Sequence, residues 1–268
     1  MYRFLFSPRW LGGLAATLVL ALVMTLLGVW QLQRYEHRSE INQRIDAAEA
    51  GEAAPLTSLL PAPEPANQVG PPPPADAGWA MVTATGQYDP AQEVLVRSRT
   101  VEGRVGVEVV TPLRLSDGTA VLIDRGWVPP AETGAADRPD APAPPAGEVT
   151  VTGWVRPSER PDQVERRDGD LHTRRIDAAT LAEHLPYPVY DGYLLLADQD
   201  PPVDEAFTLV PPRRENSWLN AGYAGQWWIF AGLVLFGYGW VARREAHRDH
   251  SGHTSGAGSS TASATVTA

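Results

Sequence analysis

Arg34 and Arg38 stand just beyond an uncharged stretch, Leu11 to Val29, where a cation meets the edge of a membrane. With Gln31 they recur at i, i+3 and i+7, on one face of a helix. A guanidinium at that depth either snorkels to lipid phosphates or pairs with the carboxylates of a membrane-level ligand. Arg125 closes a strand in Asp124-Arg125-Gly126-Trp127. In one reading Gly126 permits a bulge and Trp127 covers an end of the β structure. In the other, Trp127 beside Arg125 faces a partner or a planar ligand.

Other chemistry is excluded by what the chain lacks. It has no cysteine, which removes disulfides, thiolate zinc sites, c-type haem attachment and Cys-based copper relay. Met1, Met24 and Met81 form no thioether cluster. No G-x-S-x-G elbow, H-E-x-x-H or phosphate-binding glycine loop occurs. His172 and His184 lie outside any triad spacing, and Asp168 and Asp170 flank a turn glycine. His247, His250 and His253 share a helical i, i+3, i+6 spacing, the one weak metal motif. No catalytic residue and no resident metal are expected, and the chain reads as non-enzymatic. The net charge of −10, with all 22 basic residues arginine, speaks against nucleic acid as the main partner.

These residues need elements to position them. Leu11 to Val29 carries seven Leu and three Val, on the order of −3 to −6 kcal/mol of insertion free energy. Trp10 and Trp30 bracket it as interfacial anchors, and residues 11–30 are expected to span the bilayer. Gly28-Val29-Trp30-Gln31-Leu32 is a poor cleavage site, which disfavours a signal peptide. Residues 31–50 read as a helical extension with a Glu40–Arg44 pair at i, i+4. Residues 51–78 are a Pro-rich linker, and 129–147 a Pro-rich loop inside a β-rich domain at 79–210. Strands are expected from Val82, Val94, Val105, Ala120, Val149 and Val189, with hairpin turns at Asp117-Gly118 and Asp168-Gly169. A short helix follows Asp177 as N-cap, carries Leu181 and Leu185 on one face, and ends before Pro186.

A second span is expected at 223–242, with Trp227, Trp228 and Trp240 near its ends and Arg243-Arg244 closing it. Residues 243–268 form a tail that reads as disordered. The expected fold is two transmembrane α-helices flanking an antiparallel β-barrel or sandwich-like domain. Two spans put both termini on one side. Arg243, Arg244 and Arg248 favour a cytoplasmic C-terminus. Arg34, Arg38 and Arg44 pull the other way, but the intervening loop is long enough to translocate despite them.

Gly28-Val29-Trp30-Gln31-Leu32-Gln33-Arg34 resembles a G-x-W-Q-x-x-R signature at the end of a first span. Gly86-Gln87-Tyr88, Thr111-Pro112-Leu113, Val121 to Pro129, Gly153 to Pro157 and Tyr223-Ala224 with Gln226-Trp227-Trp228 follow in the same order. Together these are similar to the surfeit locus protein 1 family, over nearly the whole chain apart from the Pro-rich segments and tail. The resemblance implies an assembly factor for the haem-copper (aa3-type) cytochrome c oxidase, supporting haem a insertion or subunit I maturation. The partners it implies are oxidase subunit I, other assembly factors and membrane lipid. It also implies an extracytoplasmic β domain and cytoplasmic termini. Trp30, Gln31, Arg34, Tyr223, Gln226 and Trp227 would form a membrane-level surface, with Arg34 and Arg38 available to haem propionates. The family's ligand histidine, three residues before the Tyr-Ala pair, is here Asn220, or Trp218 in a second alignment. Tyr223 is then a conceivable haem-iron ligand, as tyrosinate. The alternative is a cofactor-free membrane scaffold that binds oxidase subunits.

Overall fold

A computed structural model describes residues 6–64, 67–134, 137–214, 216 and 218–252. Of the expected disordered tail at 243–268, residues 243–252 are helical, and residues 253–268, His253 with them, lie outside the described residues. The chain divides into two compact units, one at 41–214 and one formed by 1–40 with 215–268.

The helical unit is built from residues 8–40 of α1 (Pro8–Ala50) and from α4 (Trp218–Gly252). Proline at the first helical position of α1 suits a residue with no N–H to leave unpaired. Within α1, the Thr17 and Thr25 hydroxyls donate to the Gly13 and Ala21 carbonyls, both at 2.8 Å. No hydroxyl is then left unpaired in apolar surroundings. Among the described residues α1 is the one helix long and apolar enough to cross a membrane, with a mean hydropathy of 2.2 over its best stretch. The expected second span lies within α4, where Gly222, Gly225, Gln226, Tyr238 and Trp240 dilute the aliphatic residues.

The two helices pack at small residues. A side chain on Gly28 would put its Cβ 2.3 Å from Trp228 Nε1, so only glycine lets that indole seat against α1. Tyr238 donates to the Trp10 carbonyl at 3.0 Å, and Tyr35 meets Trp218 at 5.9 Å between ring centroids.

The other unit carries a nine-stranded sheet in the order β1-β2-β6-β9-β5-β4-β3-β8-β7. The strands are β1 (Ala54–Pro55), β2 (Met81–Tyr88), β3 (Val94–Val101), β4 (Arg104–Arg114) and β5 (Ala120–Val128). They continue with β6 (Val149–Arg156), β7 (Glu165–Arg167), β8 (Asp170–Thr173) and β9 (Val189–Asp200). A two-residue pairing of β2 with β4, at Gln87↔Arg114 and Tyr88↔Leu113, joins strands β2, β6, β9, β5 and β4 into a ring.

The sheet is mixed, which corrects the expected antiparallel arrangement. β1–β2, β3–β8 and β5–β9 run parallel. Each joins segments separated by a long stretch of chain, which is what a parallel pairing requires. Tight turns give three of the antiparallel pairs, β3–β4, β4–β5 and β7–β8. Asp117 caps the β4–β5 turn, accepting from the Thr119 N–H at 2.9 Å. Asp168 and Gly169, at φ of 53° and 99°, form the β7–β8 turn with both central residues left-handed.

Burial follows the period of two. Val121 and Ile123 enter one core with Val82, Val151 and Leu194. Ala120 and Leu122 enter a second with Val94, Leu171 and Leu181. The short helix α3 (Ala178–Ala182) covers that second face, with Asp177 accepting from the Thr180 N–H at 2.9 Å. The segment 51–78 is not a free linker. Leu56 and Leu60, on and just after α2 (Leu56–Leu59), are 2% exposed and complete the first core. Prolines suit that position because they bring no N–H that would need a partner. The last turns of α1 also belong to this unit. Ile45 is fully buried with Trp154 and Leu195. Arg44 donates to the Ala75 carbonyl (3.2 Å) rather than pairing with Glu40.

Candidate functional site

In the helical unit the expected surface residues fall on two helices. Trp30 is exposed, and Arg34, one turn on, folds its guanidinium back over that indole, 5.1 Å from the ring centre. Arg38 follows one turn later and is partly buried. Among the described residues the Gln31 side-chain oxygen is buried with no hydrogen-bond donor. On α4, Asn220 carries the complementary defect, a buried Nδ2 with no acceptor. Leaving such a group unpaired costs roughly 1–3 kcal/mol, so each amide offers a hydrogen bond to an incoming group.

Beside Asn220 lies an open hollow of about 480 Å³, lined by Asn216, Trp218, Leu219, Gly222, Tyr223 and Gln226. Tyr223 and Gln226 are exposed there, while Trp227 turns edge-on to Phe230 at 6.2 Å. The donors around the hollow are amides and one phenol. His37 is exposed on α1 but lies two residues, about 200° around the helix, from Tyr35, which faces α4. Haem iron takes a histidine, thiolate, thioether or tyrosinate ligand. Tyr223 alone meets that requirement, so this set does not fit a histidine-ligated haem.

In the β unit the structure corrects the interface reading of Arg125 and Trp127. They are 3% and 2% exposed. Between the register pairs Glu108↔Trp127 and Val110↔Asp124, two residues of β5 oppose one of β4. That bulge falls at Arg125-Gly126, where φ of 134° at Gly126 demands glycine. It turns Arg125 inward, 3.4 Å from Glu93 and over the Phe207 ring at 4.7 Å. Trp127 donates to the Arg99 carbonyl at 3.2 Å.

Two buried charge networks escaped the sequence reading. In the first, Glu93 takes Arg125, the Thr111 hydroxyl (3.2 Å) and Arg138 (2.6 Å). Arg138 also pairs with Asp170. Burial pushes the Glu93 carboxyl above its ordinary range, opposed by Arg138 and Arg125. Arg138 comes from the Pro-rich loop, and Arg125 also donates to the Pro142 carbonyl there, at 3.1 Å. In the second, Arg99 grips Glu159 with two nitrogens (3.0 and 2.8 Å) and sets its Nε 2.8 Å from Glu108. Burial, then the neighbouring Glu108 charge, holds the Asp124 carboxyl well above its ordinary value. Glu93 could have been found as a charge abutting the wholly apolar Val94-Leu95-Val96, which reads as a strand buried on both faces. Glu159 gives no such signal. Among the described residues no cluster of three or more His, Asp or Glu is arranged to hold a metal.

Residues 18–232 match the model of the SURF1 family. The chain is 34% identical over 247 residues to an uncharacterised SURF1-like protein of Mycobacterium tuberculosis, covering 90% of this chain and 86% of that protein. It is 34% identical over 163 residues to a SURF1-like protein of Monosiga brevicollis, covering 55% of this chain and 56% of that one. Surfeit locus protein 1 of Xenopus tropicalis is 28% identical over 149 residues, 50% of this chain and 44% of that protein.

Proposed function

The chain belongs to the SURF1 family, and from that membership we propose that it serves the assembly of cytochrome c oxidase as a membrane-anchored, non-catalytic factor. The observation that carries this reading is the extent of the match. Residues 18–232 take in most of the apolar stretch of α1, the whole sheet and the first turns of α4. In this reading α1 and α4 both cross the membrane, both termini are cytoplasmic and the β unit lies outside. The exposed Ile229, Leu233, Leu235, Phe236 and Val241 support a lipid-facing α4. The ring of five paired strands acts as a small barrel on which oxidase subunit I docks while it matures.

Two finer readings divide on the cofactor. In one the protein hands haem a to subunit I. In the other it is a scaffold that binds oxidase subunits and no haem. The residues around Tyr223 favour the second, because the lining of that hollow contains no imidazole and Asn220 stands at the sequence position of the family's ligand histidine.

Deletion of the gene tests the common premise. Membranes of the deletion strain are expected to lose haem a absorbance and oxidase activity, both restored by the intact gene. Normal values in the deletion strain would overturn the proposal. Purification from haem-a-producing cells then separates the finer readings. A Soret band lost on Tyr223→Phe selects hand-over, and colourless protein that captures subunit I selects the scaffold.

A further inference from the structure

A group of arginines on the β unit belongs to none of the readings above. On β3 the register passes from Arg97↔Val107 to Arg99↔Gly106, leaving Ser98 as an extra residue at φ 60°. This bulge brings Arg97 and Arg99 to the wall of one hollow of about 480 Å³, with Arg160, Arg174 and Arg175 around it and Asp162 as its one acidic lining residue. A second hollow of about 250 Å³ shares Arg97, Asp162 and Arg174 and adds Arg167, Glu165 and His172.

The partners of these cations decide what the site can take. Arg99 is occupied by Glu108 and Glu159, and Arg167 by Glu165 at 2.9 Å. Arg174 reaches Asp162 at 3.1 Å, a solvated pair that contributes little to stability and can open. Arg160 and Arg175 are exposed, and their side chains form no ion pair among the described residues. Arg97 is fixed in place. Its Nε and one NH2 lie 3.0 and 2.9 Å from His172 Nδ1, and the NH2 also donates to the Asp137 carbonyl at 3.2 Å. Accepting there keeps His172 neutral, and burial with the Arg97 and Arg167 charges pushes its pKa down. Burial and Arg167 likewise push Arg97 below its ordinary value, opposed by the Asp137 carboxylate. Like charges are thus held together around a cavity in a chain whose net charge is −10, an arrangement that a bound anion relieves.

We propose that these joined hollows form an anion site that takes a phosphate group of at least two negative charges, free or carried on a lipid headgroup. Arg97, fixed on its imidazole, supplies positive charge held in place at the wall. Arg160, Arg175 and a released Arg174 close on the phosphate oxygens, in the fork geometry that guanidinium offers phosphate.

Calorimetric titration of the full chain in neutral detergent with pyrophosphate tests the site. Saturable binding that weakens with added salt is expected. Arg160→Ala with Arg175→Ala should lower affinity by about a hundredfold, the loss of two charge-assisted bonds at roughly tenfold each. Arg213→Ala, exposed and outside both hollows, should leave affinity unchanged. Both substituted positions are exposed, so an unaltered melting midpoint certifies the fold of the double variant. Short-chain phosphatidic acid, a phosphomonoester, that displaces pyrophosphate where phosphatidylcholine does not identifies the lipid headgroup. Pyrophosphate binding without displacement identifies a free phosphate. Absence of binding, or equal binding by the double variant, overturns the proposal, as does an equal loss on Arg213→Ala.

Discussion

Glu93 is 2% exposed and has Arg125, Arg138 and Thr111 around it. Removing one partner of a buried pair leaves a charge without water or counter-charge, at a cost of about 3–5 kcal/mol. Arg138 still holds Glu93 at 2.6 Å, so Arg125→Leu is expected to destabilise the β unit by less than that, about 1–3 kcal/mol, in denaturant titration. Adding Glu93→Leu should restore much of it, because an apolar pair removes the stranded charge. Asp124 behaves differently, its carboxyl raised well above the ordinary value by burial and by Glu108, whose own carboxyl is raised by burial. The native state keeps protons here that the unfolded chain releases, so stability falls as pH rises from the ordinary carboxylate range through the raised values. Asp124→Asn should flatten that decline, read as melting midpoint against pH. The sequence displayed Arg125 and Trp127 but not their direction. A one-residue bulge decides which face a side chain takes, and only Gly126 hinted at it.

At the scale of elements, the end of α1 is held in the β unit by two kinds of contact. Arg214 pairs with Asp46 and with Glu49, all three roughly half exposed. Such pairs contribute about 0–1 kcal/mol. Ile45 is fully buried against Trp154 and Leu195, and truncating a buried isoleucine costs about 2–5 kcal/mol. Ile45→Ala is thus expected to lower the unfolding free energy several times more than Arg214→Ala, by the same titration. The six longer strands were legible because Val, Thr and Tyr alternate and Asp-Gly pairs end the runs. The core contribution of 51–78 was not. Eight prolines there outweigh Leu56 and Leu60, and proline composition looks the same in a free linker and in a segment laid against a sheet edge.

For the molecule as a whole, the apolar stretch of α1 was plain in composition, whereas strand order was not, since parallel pairing depends on contacts far apart in sequence. Membrane sidedness is open to direct measurement, because the chain has no native cysteine. A lone Glu102→Cys, at an exposed turn of the β unit, should be labelled by a membrane-impermeant maleimide in intact cells. Labelling only after lysis would reverse the proposed topology. The place of β9 in the sheet has a consequence for how the protein is made. It lies between β6 and β5, in the middle of the order, yet it is the last strand to leave the ribosome. Until residue 200 is available, β5 and β6 each present an open edge able to pair wrongly. A chain stopped after Pro188 should therefore collapse without a protease-resistant core. In the cell the nascent sheet must stay unfolded, or be shielded by a holding factor, through the synthesis of nearly three quarters of the chain.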